Sequence, residues 1–285
     1  MRVLVLGAAG QLGSAICTVL SNEFDVIPAT RIQTDITSLS QLRVLVAEAK
    51  PDVIINSAAY TDVDGCELNP DKAFLVNALG ARNVAIVARE IGAKLVHIST
   101  DYVFDGCKDS PYLEFDQPNP INVYGASKLL GETLVKEQTH RFFIIRTAWL
   151  YGKTGKNFVK TMLSLAREQK EIRVVNDQWG TPTCVEDLAR QIGKLIPTEL
   201  YGTYHCTSQG SCTWFEFAQE IFRLAKINIQ IKPITSEEVP RPAKRPKNSV
   251  LENYMLKLQG LDIMPPWREA LACFMSNFEK EGGGP

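Results

Sequence analysis

Val3-Leu4-Val5-Leu6-Gly7-Ala8-Ala9-Gly10-Gln11-Leu12-Gly13 decides how the rest of the chain is read. A short apolar run ends on a glycine, and a helix-period stretch, Gln11–Leu20, begins four residues later. The glycines fall in a G-x-x-G-x-x-G pattern. A strand that turns at once into a helix needs a tight bend at the first glycine. The second lets the backbone come close to a ligand, and the third lets the helix pack close to the strand. The free amides and dipole of that helix start favour an anion, above all the pyrophosphate of a dinucleotide. Gly7, Gly10, Gln11, Leu12 and Gly13 are therefore candidate cofactor contacts.

Outward from this loop, strand-like and helix-like segments alternate. Arg2–Leu6, Asp25–Ala29, Val53–Asn56, Lys94–Ser99 and Phe142–Arg146 read as strands. Gln11–Leu20, Leu39–Ala49, Pro70–Ile91 and Tyr124–Glu137 read as helices. Such alternation predicts an α/β fold, a Rossmann-type doubly wound parallel sheet with helices on both faces. After Tyr151 the rhythm is less regular. Asn157–Gln169, Val185–Ile196 and Trp214–Ala225 read as helices, the last with Thr213 as N-cap. Tyr201–Cys206 reads as a strand that rejoins the sheet. Pro233 to Pro246 holds four prolines and reads as a loop. Pro265-Pro266 opens a last helix near Trp267–Glu279, and Gly282-Gly283-Gly284-Pro285 reads as an unstructured tail. These segments predict a dinucleotide-binding domain over 1–152 and about 180–208. A smaller α/β substrate-binding lobe then covers about 153–179 and 209–285.

The 285 residues carry a net charge of −1, with 45% hydrophobic and 22% charged residues. That balance offers no global field for nucleic acid. No apolar run approaches the length of a membrane span, and the first is too short for a signal peptide. Seven cysteines without a Cys-x-x-Cys pair and three histidines without metal-ligand spacing point to reduced thiols in a cytoplasm and to no metal.

The second strand ends on Thr30 and Arg31, where an acid would select NAD by binding the ribose 2′-hydroxyl. Arg31 either meets a 2′-phosphate or points into solvent, so NADPH or NADH is expected as cofactor. Asp35 and Ile36 are candidate adenine-side contacts. Tyr124-Gly125-Ala126-Ser127-Lys128 places a phenol and an ammonium four residues apart on one helix face. An ammonium there is expected to lower the phenol's pKa towards neutrality. Such a tyrosine gives its proton to a carbonyl that is being reduced. Thr100, at the end of the Lys94–Ser99 strand, is placed to polarise the same carbonyl.

On these residues the chain resembles the extended short-chain dehydrogenase/reductases, and within them the dTDP-4-dehydrorhamnose reductase family. Ser99-Thr100-Asp101-Tyr102-Val103-Phe104-Asp105-Gly106 and Asp177-Gln178-Trp179-Gly180-Thr181-Pro182-Thr183 are its narrowest matches. Others are Asn56–Thr61, Asn122–Gly125 with Lys128, Arg146–Gly152, Asn157-Phe158 and Arg245–Ser249. The resemblance implies NAD(P)H-dependent reduction of the C4 keto group of dTDP-4-dehydro-L-rhamnose, for deoxysugar supply to surface polysaccharide. It implies Tyr124 as proton donor with Lys128 and Thr100 beside it. It also implies cofactor contacts from Ala58, Ala59, Tyr60 and Asn77, and substrate contacts from Thr61, Val63, Thr100, Tyr102, Trp149, Arg245 and Asn248. Some dimeric relatives hold a divalent cation through glutamates, one of them in the first helix. Here that turn reads Ser14-Ala15-Ile16, so a homodimer stays open but a metal bridge of that kind is not expected. Two rivals remain at this stage. One is a non-catalytic partner subunit, similar to the regulatory subunit of methionine adenosyltransferase. The other is a nucleotide-sugar epimerase or dehydratase; a dehydratase favours two acids after the threonine, where this chain has only Asp101.

Overall fold

The computed structural model describes residues 1–280; the tail Gly282-Gly283-Gly284-Pro285 lies outside the described residues. The first half alternates as its apolar periodicity predicts. β1 (Arg2–Leu6), α1 (Gln11–Leu20), β2 (Asp25–Ala29), α2 (Leu39–Ala49) and β3 (Val53–Asn56) follow in order. Then come α3 (Val63–Leu68), α4 (Pro70–Phe74), α5 (Ala81–Glu90), β4 (Lys94–Thr100), α6 (Val123–Gln138) and β5 (Phe142–Thr147). Val53–Asn56 and Phe143–Thr147 are buried throughout, as expected of parallel strands covered on both faces.

The expected single helix over Pro70–Ile91 is interrupted. Leu75–Gly80 forms a π-turn between α4 and α5. There the buried Asn77 side chain donates to the Tyr60 carbonyl (3.0 Å) and Ser127 Oγ (3.0 Å) and accepts from Tyr60 N (2.8 Å). Such bulges mark places where a side chain's tertiary bonds outweigh regular helix geometry.

The second half supplies β6 (Leu150–Tyr151), α7 (Phe158–Glu168), β7 (Glu171–Val175), β8 (Trp179–Gly180), β9 (Thr183–Cys184), α8 (Val185–Leu195) and β10 (Gly202–His205). It ends with β11 (Cys212–Thr213), α9 (Trp214–Leu224), β12 (Gln230–Ile234), α10 (Tyr254–Leu258) and α11 (Trp267–Lys280). Thr213 caps α9 in a full capping box with Glu216. Pro233 lies within β12 rather than in a loop. β12 pairs only with β7, so the proline's missing donor can face away from the ladder.

The main sheet is parallel, in the order β10-β5-β4-β3-β1-β2. α1 and α8 cover one face through Ile16, Leu20, Leu188 and Ile192. α2, α5 and α6 cover the other through Leu42, Val46, Val84, Val87 and Val135. A second core gathers Val159 and Met162 of α7, Ile172 and Val174 of β7, Phe217 and Ile221 of α9, and Leu271 and Phe274 of α11. Leu256 and Met264 belong to the first core, so the chain returns to the main sheet between α9 and α11. The strand order reverses between β1 and β3, and ligands of such sheets bind outside the strand ends at that point.

Candidate active site

At the reversal point the glycine loop meets the loop after β3. A Cβ at Gly7, whose φ is +78°, would lie 2.7 Å from Ala58 N and 2.9 Å from Ala58 Cα. A Cβ at Gly13 would lie 2.2 Å from the Gly7 carbonyl oxygen. Both glycines are fixed by protein packing. Gly10 differs: it is exposed, and a Cβ there would meet only the Gly7 oxygen, at 3.2 Å. Gly10 is also the N-cap of α1, and it has no side chain with which to cap. The first amides of a helix lack intrahelical partners, so those of α1 remain for an anion. The first turn of α1 carries no acid to repel one. This cradle fits a dinucleotide pyrophosphate.

Arg31, just after β2, has 81% of its side chain exposed and a loose ion pair to Asp35 at 3.5 Å. A guanidinium so placed fits a 2′-phosphate. Asp35 is bound by Thr37 N (2.9 Å) and Thr37 Oγ1 (2.8 Å), which hold its carboxyl below the usual range. Ile36 is buried, with Gly80 close against it. Leu12 is buried, so its backbone is the part it can offer a ligand. Ala58, Ala59 and Tyr60 are half-buried beside the cradle. Asn77 has all its side-chain bonds inside the protein, so it braces Tyr60 and Ser127.

β4 and α6 bring the three reactive side chains together. Asn122 caps α6 by accepting from Gly125 N (2.8 Å), which sets Tyr124 in the first turn. Below it, Glu132 and Arg146 form a bidentate ion pair at 2.9 and 2.8 Å, with side chains 1% and 3% exposed. Ser99 Oγ donates to the same carboxylate at 2.6 Å. This pair pins α6 to β4 and β5. Lys128 Nζ donates to the Ile98 carbonyl at 2.6 Å. Burial lowers the Lys128 pKa to about 8, against the raising influence of Glu132.

Tyr124 departs from expectation. Burial pushes its hydroxyl well above the usual value, Asp101 adds to this, and only the hydrogen bond with Thr100 opposes it. Lys128 donates to the Ile98 carbonyl, and burial outweighs the effect of its charge on the resting phenol. The phenol therefore holds its proton at neutral pH, as a proton donor must before it acts. Thr100 differs too. Its hydroxyl donates to Asp101 Oδ1 (2.9 Å) and accepts from Tyr102 N (3.2 Å). A hydroxyl has one proton to give, so the bond to Asp101 competes with one to Tyr124 or to a substrate carbonyl. Asp101 entered the sequence reading only as the single acid after the threonine, with no role of its own. Its carboxyl is buried and pushed up to about 6, chiefly by burial. Its Oδ2 has no bond of good geometry among the described residues. The Ser249 hydroxyl faces it but donates to the Trp179 carbonyl at 3.3 Å.

Beside this trio opens a cleft of about 1650 Å³ lined by Val63, Tyr102, Phe158, Trp214, Arg245 and Asn248 among others. Drug-sized ligands occupy ~300–1,000 Å³, so this space suits something larger. Tyr102 packs edge-on against Tyr124 (5.9 Å, 79°) and so joins the cleft to the trio. Thr61 is exposed and is not among the residues that line the cleft. Arg245 is only 12% exposed: it pairs with Asp64 at 3.0 Å and donates to the Ala243 carbonyl at 2.9 Å. Asp64 also accepts from Ala243 N at 3.2 Å, so α3 is tied to the proline-rich loop across the cleft. Asn248 donates to the Lys108 (2.6 Å) and Ser110 (3.2 Å) carbonyls and accepts from Val250 N (3.0 Å), so its side chain holds two loops together. A contact missed from sequence joins the two halves. Asn157, N-cap of α7, donates to Gln11 Oε1 at 3.0 Å and to the Gly152 carbonyl at 2.9 Å.

All seven cysteines are free thiols. Among the described residues no helix is long and apolar enough to cross a membrane, and no three His, Cys, Asp or Glu side chains cluster as metal ligands.

Comparison with known proteins agrees with this geometry. The family model described as RmlD substrate binding domain matches residues 1–280. The spore coat polysaccharide biosynthesis protein SpsK of Bacillus subtilis is 44% identical over 276 residues, 96% of each chain. The dTDP-4-dehydrorhamnose reductase of Burkholderia thailandensis is 40% identical over 288 residues, 95% of this chain and 97% of that one. The crystal structure of dTDP-4-dehydrorhamnose reductase from Bacillus anthracis in complex with NADP superposes with a TM-score of 0.95 at 50% identity, covering 97% of this chain and 99% of that chain. A likeness so complete, with the glycine cradle and the Tyr-Lys-Thr trio intact, places this chain in the RmlD family of dTDP-4-dehydrorhamnose reductases.

Proposed function

We propose that this chain reduces the C4 keto group of dTDP-4-dehydro-L-rhamnose with NADPH, giving dTDP-L-rhamnose. The observation that carries this reading is the meeting of Tyr124, Thr100 and Lys128 beside a glycine cradle built for a dinucleotide. Bound NADPH supplies two electrons and one hydrogen to the C4 carbon. The α1 amides and Gly10 hold its pyrophosphate, and Arg31 meets its 2′-phosphate. Tyr124 gives its hydroxyl proton to the C4 oxygen as that oxygen becomes an alcohol. Thr100 holds the phenol in line. Lys128 stays an ammonium at neutral pH and favours the phenolate left behind. Glu132 and Arg146 hold α6 so that these groups keep their spacing.

Residues 1–152 and about 180–208 serve the cofactor; about 153–179 and 209–285 serve the nucleotide sugar. Pairing of β10 with β5 and the separate core of α7, α9 and α11 support that division, while Leu256 and Met264 of the second part pack against the main sheet. Val63 and Tyr102 meet the sugar nucleotide, while Arg245 and Asn248 shape its diphosphate end. Free thiols and an NADPH-dependent reaction suit the cytoplasm. NADPH oxidation with dTDP-4-dehydro-L-rhamnose tests the reading. A non-catalytic subunit, an epimerase or a dehydratase gives no net oxidation.

A further inference from the structure

The reductase reading places a tryptophan, Trp149, against the sugar. The structure crowds that ring. Trp149 has a left-handed backbone, φ +47°, which a bulky residue adopts only where its surroundings dictate it. A Cβ at Gly180 would fall 2.3 Å from its Cε2 and 2.6 Å from its Nε1. Trp214 stacks on it with ring centroids 3.4 Å apart and planes 8° apart. Trp214 is itself fixed at the first position of α9, after the Thr213–Glu216 capping box. β11, which ends at Thr213, pairs antiparallel with β8, which ends at Gly180. One short ladder thus sets both neighbours of Trp149.

Trp214 reaches the cleft wall with Phe158 and Met162, and Phe158 lies 4.6 Å from it at a 46° tilt. Trp214 is half-buried, so part of its indole remains available. A flat, rigid aromatic held at a cleft wall is suited to the apolar face of a sugar or to a base. From sequence this residue was only the start of a helix.

We infer that Trp214 is a substrate-contacting residue, the aromatic surface that the nucleotide sugar meets, with Trp149 as the backing that fixes its plane. This inference rests on the reductase reading for the identity of the ligand. The test is therefore a binding measurement, separate from turnover: calorimetric affinity for dTDP-L-rhamnose and for NADPH in the wild type and in Trp214→Ala, Trp214→Leu and Trp214→Phe. Loss of one aromatic face predicts affinity for dTDP-L-rhamnose about tenfold weaker in the Ala and Leu variants. Phe should recover most of it, and NADPH affinity should not change. In turnover the same loss should appear in KM more than in kcat. Leu keeps apolar volume, so it reports on the flat ring even if Ala fails to fold. Wild-type affinity for dTDP-L-rhamnose in Trp214→Leu would overturn the inference, as would equal weakening of NADPH binding. Binding of dTDP-L-rhamnose without reduction of the keto sugar by the wild type would refute the reductase reading and leave the Trp214 result standing.

Discussion

Replacing Gly10 and Gly13 separately with alanine should damage two different properties, because the same methyl meets different surroundings. At Gly13 it would sit 2.2 Å from the Gly7 oxygen, 2.8 Å from the Gly7 carbonyl carbon and 2.9 Å from Ala8 Cα. All three are backbone atoms at the base of the cradle. α1 must move away from β1 by roughly 1 Å, and overpacking of this kind costs about 1–3 kcal/mol or more. In a domain of this size that lowers Tm by about 2–4 °C per kcal/mol. At Gly10 the methyl meets only the Gly7 oxygen at 3.2 Å, and the backbone at φ −77°, ψ 168° accepts alanine. Stability should hardly change. On the proposed binding mode the methyl adds bulk at the N-terminus of α1, where the pyrophosphate would approach. Each lost charged hydrogen bond costs about 1.5–3 kcal/mol, or roughly 10- to 100-fold in NADPH affinity. Thermal melts and calorimetry with NADPH read the two effects apart. Gly10→Ala with wild-type NADPH affinity would refute the cradle. Gly13→Ala with wild-type Tm would refute the packing account of the loop.

Four further outcomes follow from the site. Tyr124→Phe should lower kcat by about 100-fold or more while NADPH affinity holds; a fast variant would remove Tyr124 from proton transfer. Arg31→Asp should weaken NADPH and spare NADH, and an equal loss of both would show that Arg31 does not reach the ribose. Activity should fall as pH rises through about 8, where Lys128 gives up its proton. Between about 8 and the ordinary lysine value of 10.5 the unfolded chain holds more protons at this site than the folded one. Stability from Lys128 therefore rises with pH there, and the wild type should gain on Lys128→Met across that window; a constant gap would contradict a depressed Lys128. Asp64→Asn should raise KM for the nucleotide sugar with little effect on NADPH, since Asp64 holds Arg245 at the cleft; unchanged KM would mean the Arg245 contact is idle.

Much of this was legible in the chain. The glycine loop, the strand-helix rhythm and the Tyr-Lys spacing are local patterns, and they place β1 to β5 within a residue of the structure. The π-turn at Leu75–Gly80 was not legible, because Asn77 bonds to residues 17 and 50 positions away. β7 and β12 were missed because each is a single short strand whose only partner lies far along the chain, and Pro233 reads as a breaker. The trio was found, but not its electrostatics. Spacing shows that Lys128 neighbours Tyr124; it does not show that the ammonium is held by the Ile98 carbonyl, or that burial sets the phenol. The Arg245–Asp64 pair was not legible, since nothing in sequence connects the two residues. Trp214 gave only the signal of a helix start, because its stacking depends on the β8–β11 ladder.

The most direct measurement is NADPH consumption with dTDP-4-dehydro-L-rhamnose, with the product followed by NMR, in the wild type and Tyr124→Phe side by side. The account predicts one dTDP-L-rhamnose formed for each NADPH oxidised by the wild type, and turnover about 100-fold slower or worse in the variant. Conversion of the nucleotide sugar without net NADPH oxidation, or no conversion by a folded, NADPH-binding wild type, would contradict it.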